Sequence, residues 1–206
     1  MTVTRIEETS NKRCKVYLDH EFAFVLYKGE MRKFNMREGV DLSQADYEAI
    51  LTDILPKRAR QRAFYLLKDR DYTEVKLKEK LKQQFYPQSV INQTVEYMVS
   101  MRYVDDCRYA VSYIRCYEGQ KSRKRINNDL YAKGISNHIL EKAWTEWEES
   151  GGEVDELSMI QRLLEKRKYD GENADKKERQ KIFCFLMRKG FETELIRKAM
   201  NLCEFE

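Results

Sequence analysis

Leu130-Tyr131-Ala132-Lys133-Gly134-Ile135 decides the fold, because two other segments repeat its pattern: Leu81-Lys82-Gln83-Gln84-Phe85-Tyr86 and Leu186-Met187-Arg188-Lys189-Gly190-Phe191. Each is followed at the same offset by an apolar pair, Val90-Ile91, Ile139-Leu140 or Leu195-Ile196. A small residue comes next (Thr94, Ala143 or Ala199), then Val95, Trp144 or Met200. Apolar residues also precede each segment, at Leu66-Leu67, Tyr113 with Ile114, and Leu163-Leu164. The repeat lengths are 49 and 56 residues, too long for a helix-pair repeat of about 34 residues. The pattern predicts three units of three helices each. Gly134 and Gly190 fall where a helix ends in a left-handed residue. Phe85 takes that place in the first unit, so its turn is expected to differ. Ser136 and Thr193 are expected to start the third helices of units two and three. Gly151-Gly152 separates units two and three, and Tyr169 to Asp175 forms a loop that lengthens unit three.

Working outward, the segment before Pro56 reads differently. Val16, Leu18 and Phe22-Ala23-Phe24-Val25-Leu26-Tyr27 favour strands, three or four in all. Asp19-His20-Glu21 and Lys28-Gly29-Glu30 suit hairpin turns. Ser43, with Asp46 three residues on, starts a helix whose apolar face is Tyr47, Ile50, Leu51, Ile54 and Leu55, and Pro56 is expected to end it. The expected fold class is mainly α: tandem three-helix repeats forming an elongated curved rod, after a small N-terminal β-rich segment. The divisions are 1–55 (strands and one helix), 57–101, 102–150 and 153–206.

Eight glycines, two prolines and 36% charged residues suit such a helical protein. The net charge of +4 is uneven: residues 1–55 carry −2, residues 56–150 carry +6 with 19 basic against 13 acidic side chains, and the remainder carries 0. A local positive excess attracts phosphate or an acidic protein surface. It comes to a head in Lys57-Arg58-Ala59-Arg60-Gln61-Arg62 and Lys121-Ser122-Arg123-Lys124-Arg125. The candidate partner- or DNA-binding residues are therefore Lys57, Arg58, Arg60, Arg62, Arg115, Lys121, Arg123, Lys124 and Arg125. The last five are expected near one face. Phe64, Tyr65, Tyr113 and Tyr117 lie close by, and their helical spacing favours core packing over base stacking.

No catalytic constellation emerges. There is no phosphate loop, dinucleotide fingerprint or nucleophile elbow. His20 and His138 lack companions at metal-ligand spacing, and no cofactor is expected. Asp105-Asp106 could hold Mg²⁺ for phosphoryl chemistry, but its position before Cys107-Arg108 favours helix capping. Cys14, Cys107, Cys116, Cys184 and Cys203 show no paired spacing, so buried, reduced thiols of a cytoplasmic protein are expected. No signal-like N-terminal stretch appears, nor any apolar run near ~20 residues, so no membrane association is expected.

The run Tyr103-Val104-Asp105-Asp106-Cys107-Arg108-Tyr109-Ala110 closely resembles a hallmark of RecX regulatory proteins. Tyr113, Arg115, Gly119 and Arg125-Ile126-Asn127-Asn128-Asp129-Leu130-Tyr131-Ala132-Lys133-Gly134-Ile135 continue it. The stretch from Ala63 to Glu74, followed by Leu77, Lys80 and Leu81, resembles the opening of that family's first repeat. The resemblance spans roughly residues 57–200 and is most specific in the second repeat. It departs at Arg102 and Phe85, where the family favours glycine. It implies a monomeric modulator of the RecA recombinase, without catalysis of its own, that lies along the RecA–single-stranded DNA filament. There it inhibits ATP hydrolysis, strand exchange and co-protease activity in recombination, DNA repair and the SOS response. A helical nucleic-acid-binding module acting without a recombinase is the alternative.

Overall fold

The computed structural model describes residues 1–10 and 12–201, which divide into two compact units, one ending at Asp105 and one beginning at Asp106. The first unit opens with an antiparallel sheet of β1 (Val3–Ser10), β2 (Arg13–Leu18) and β3 (Glu21–Tyr27), paired in chain order. Asp19 and His20 both take positive φ, 47° and 72°, as a two-residue hairpin turn requires. Alternate residues Cys14, Val16 and Leu18 are buried, so one face of the sheet covers a core.

Lys28-Gly29-Glu30 does not form the expected turn. It begins helix α1 (Lys28–Lys33), because the Glu30 carboxylate accepts the Tyr27 N–H at 2.7 Å and Met31 turns inward. Helix α2 (Gln44–Ala49) starts as expected, with Ser43 Oγ accepting the Asp46 N–H at 3.0 Å. Pro56 does not end it. A π-helical stretch, Ile50–Ile54, leads straight into α3 (Leu55–Asp69) with the proline in its first turn. The wider turn accommodates a residue that cannot donate a backbone hydrogen bond. Leu55 and Ala59 of α3 then pack with Phe24, Leu26 and Ile50 in one core, so strands and first helices share their burial.

Helix α3 continues with α4 (Glu74–Lys82) and α5 (Gln88–Ser100) around Ala63, Leu77, Leu81, Ile91 and Met98. In the second unit α6 (Asp106–Tyr117), α7 (Arg123–Tyr131) and α8 (Asn137–Glu149) enclose Ile114, Ile126, Leu130, Leu140 and Trp147. Helices α9 (Glu156–Lys166), α10 (Lys176–Arg188) and α11 (Thr193–Ala199) enclose Ile160, Leu186 and Ile196. The aligned leucines Leu81, Leu130 and Leu186 are each fully buried. Periodic apolar positions thus became three equivalent helical cores.

The three repeat turns agree in hand. Gly134 and Gly190 have φ of 89° and 92°, and Phe85 adopts 63°, so the first turn does not differ as expected. Arg102, the other departure from glycine, is also left-handed at 58°. A side chain there costs about 1–2 kcal/mol. Phe85 offsets that cost through its ring, which meets Phe22 of β3 edge-on at 6.1 Å and carries the Lys15 ammonium 4.7 Å above it. Ser136 caps α8 as expected, accepting the Ile139 N–H. Thr193 does not cap α11. Glu192 holds the cap position, and the Thr193 hydroxyl donates to Met187 Sδ at 3.5 Å. Of the four described cysteines only Cys14 is buried, Cys107 is half-buried, and Cys116 and Cys184 are exposed; Cys203 lies outside the described residues. Among the described residues no helix is long and apolar enough to cross a membrane.

Candidate binding surface

The basic cluster of the first unit lies on α3, and most of it is committed to the fold. Arg58 pairs with Glu30 at 2.9 Å, donates to the Val25 carbonyl at 3.1 Å and stacks 4.2 Å over Tyr27, leaving its side chain 13% exposed. Arg60 covers Tyr97 at 4.5 Å, and Arg62 lies 5.2 Å over Tyr65. Lys57 makes an exposed pair with Asp53. Phe64 and Tyr65 are not core residues: Tyr65 is 62% exposed, and Phe64 stacks edge-on against the exposed Tyr103 at 4.9 Å.

The second cluster lies where repeats two and three meet within the second unit. Ser122, fully buried, makes that joint. Its Oγ accepts the Arg125 N–H at 3.2 Å, capping α7, and donates to the Lys189 carbonyl at the end of α10 at 3.0 Å. The basic residues around it fall into separate places rather than one face. Lys121 and Arg125 line a cleft of about 490 Å³ with Arg188, Lys189 and an apolar floor that includes Leu163 and Phe185. Arg123 and Lys124 line another cleft of about 780 Å³, shared with Asp155, Glu156 and Glu192. Arg115 lines neither and donates to Ser150 Oγ at 3.1 Å.

Their freedom also differs. Lys121 Nζ donates to Asp129 at 2.9 Å and to the Tyr113 hydroxyl at 3.0 Å, and lies 3.5 Å from the centre of the Tyr117 ring. Burial opposes that ammonium, but the hydrogen bonds to Tyr113 and Asp129 outweigh it and hold its pKa above the ordinary lysine range. The same bond from Lys121 holds the Asp129 carboxyl below the ordinary range. Arg125 reaches Asp129 at 3.4 Å, the i+4 pair its spacing permits. Arg123 pairs with Glu148 at 2.9 Å and stacks 4.4 Å over Trp144. Lys124 is exposed with no ion pair among the described residues.

Because its folded pKa is depressed, Asp129 contributes stability that is present above the unfolded carboxylate value near ~3.9 and lost as pH falls through the folded value. Asp129→Asn is expected to cost about 1–3 kcal/mol at neutral pH, since it strands Lys121 and weakens Arg125. Urea unfolding at pH 7 and at pH 3 checks this: the gap from wild type should narrow in acid.

The cleft also contains residues that reading by charge runs missed. Arg188 and Lys189 are exposed at its rim, and Phe185 carries Arg167 at 3.7 Å and Lys189 at 5.8 Å over its ring. The signal was present in the repeat itself: Lys189 precedes Gly190 as Lys133 precedes Gly134. Among the described residues no group of three His, Cys, Asp or Glu side chains could hold a metal ion.

Comparison with known proteins places this arrangement. Residues 59–98 match the family description "RecX, first three-helix domain", and residues 153–200 match "RecX, third three-helix domain". The chain is 28% identical to the regulatory protein RecX of Clostridioides difficile (strain 630), over 97% of this chain and 94% of that one. It is 29% identical to the regulatory protein RecX of Caldanaerobacter subterraneus subsp. tengcongensis, over 98% of this chain and 100% of that one. In fold it resembles a crystal structure of regulatory protein RecX, with a TM-score of 0.64 at 24% identity, covering 97% of this chain and 98% of that one. A crystal structure of RecX from Lactobacillus salivarius gives 0.57 at 21% identity, over 72% of this chain and 96% of that one. Two domain matches in chain order and relatives aligned over nearly their full length agree: the chain is similar to RecX regulatory proteins along nearly its whole length, and the solved structures share its three-helix fold.

Proposed function

We propose that this protein binds the RecA recombinase filament on single-stranded DNA and restrains its ATP hydrolysis, strand exchange and co-protease activity, as a cytoplasmic monomer without catalysis of its own. The observation that carries this reading is the RecX hallmark from Tyr103 to Ile135, set within a chain that aligns with RecX proteins over nearly its full length. The divisions 57–101, 102–150 and 153–206 serve as repeated binding modules. The joint cleft supports the reading physically. Its rim offers Arg125, Arg188 and Lys189 above an apolar floor, which suits an acidic protein surface with apolar contacts. Lys124 adds exposed positive charge on the second cleft, and Arg115 lines neither. Lys121, held by Asp129, positions the start of α7 rather than reaching outward.

The test is single-stranded-DNA-dependent ATP hydrolysis by the cognate recombinase, with and without saturating protein. The expected result is a lower steady-state rate and a shorter filament lifetime. An unchanged rate and lifetime would count against the proposal.

A further inference from the structure

The cleft between the N-terminal sheet and α3 concentrates positive charge that Glu30, the partner of Arg58, offsets only in part. It measures about 370 Å³ and is lined by Arg13, Arg58, Arg62, Tyr27 and Tyr86, together with glutamines. Among the described residues no carboxylate lines it; Glu30 reaches Arg58 from outside the lining. Arg13 Nη1 and Nη2 donate to Gln84 Oε1 at 3.0 Å and to the Gln84 carbonyl at 3.2 Å, both uncharged acceptors. Arg62 makes no hydrogen bond and no ion pair among the described residues; only its contact with Tyr65 holds it. Three guanidiniums against one carboxylate leave a local excess of positive charge in a half-enclosed, polar setting. The chain brings them together from β2 and two turns of α3, which no run of sequence reveals.

The geometry points to a phosphate seat: this cleft takes a phosphodiester group of single-stranded nucleic acid, with Arg13 and Arg62 as its principal donors. A forked guanidinium matches a phosphate in geometry and charge. Burial pushes the Tyr86 hydroxyl above its ordinary pKa, so at neutral pH it remains an O–H that can donate to the same anion. The exposed rings nearby favour nucleic acid over an acidic peptide. Tyr27 is 41% exposed and lines the cleft, and Tyr65 is 62% exposed beside Arg62. A base gains from stacking on such rings, whereas a carboxylate does not. The recombinase reading is not required for this site, because bare nucleic acid is the ligand.

Fluorescence anisotropy of a fluorescein-labelled oligothymidylate, titrated with the full chain over a range of salt, tests the inference. Arg62→Met keeps an apolar stem over Tyr65 and removes the charge. The expected result is a Kd raised roughly tenfold and a salt slope smaller by about 0.7, the signature of one lost phosphate contact on a single strand. A labelled polyglutamate peptide should bind wild type at least about tenfold more weakly than the oligonucleotide at the same salt. If Arg62→Met fails to fold by circular dichroism, Arg62→Lys takes its place, keeping charge but losing the fork; a Kd raised roughly threefold is then expected. An unchanged Kd and slope in the folded variant would overturn the inference, as would polyglutamate binding as tight as the oligonucleotide's.

Discussion

Replacing Trp147 by alanine is expected to lower the unfolding free energy by about 3–5 kcal/mol, the range for emptying a buried aromatic site. Trp147 lies on the inner face of α8 and is 1% exposed. Its ring meets Trp144 edge-on at 5.3 Å, and its Nε1 donates to the Glu118 carboxylate at 2.8 Å. Truncation therefore removes a large apolar area, an edge-to-face contact and a charge-assisted hydrogen bond together. The local chain is fitted closely to this ring. A Cβ added at Gly152 would come within 2.2 Å of it, so Gly152→Ala should also destabilise strongly by displacing the indole. Urea unfolding followed by circular dichroism measures both. A loss below about 1 kcal/mol for Trp147→Ala would show that this ring does not organise the second repeat.

Gly190→Ala is expected to cost about 2–4 kcal/mol. Its φ of 92° imposes strain of about 1–2 kcal/mol on any residue with a Cβ. That Cβ would also lie 2.6 Å from Ser122 Oγ. The serine hydroxyl cannot move away without cost, because it both caps α7 and bonds the Lys189 carbonyl. Loss of the cap alone costs about 1 kcal/mol. Gly151→Ala provides the control, since φ there is 89° but nothing lies within 4 Å of the added Cβ. It should show the strain without the clash. Equal losses in the two variants would mean that the Ser122–Gly190 contact adds nothing to the joint between repeats two and three.

The repeats were legible because helical periodicity is local. Leu130, Gly134 and Ser136 each declare burial, chain reversal and capping within a few residues, and the structure uses them so. Phe85 was misread because its compensation comes from Phe22 and Lys15, more than sixty positions away. Pro56 was misread because a π turn, invisible in apolar spacing, absorbs it. The binding surface was legible only as charge. Sequence could propose Lys121 and Arg58 as free cations, but not that Asp129 and Glu30 hold them. Nor could it bring Arg188 and Lys189 beside Arg125, because that cleft depends on how two repeats meet. Charge runs locate positive residues; tertiary partners decide which remain available.

Recognition of the filament, rather than of the DNA it holds, is read by comparing the two partners side by side. Label the full chain with a fluorophore and titrate it, in moderate salt, with preassembled recombinase–single-stranded DNA filament and separately with the same DNA alone. Binding to the filament should be at least about tenfold tighter, a preference worth about 1.4 kcal/mol. This preference should persist as salt rises and bare-DNA binding fades. Equal affinity for filament and bare DNA at every salt concentration would contradict it and identify a nucleic-acid-binding module instead.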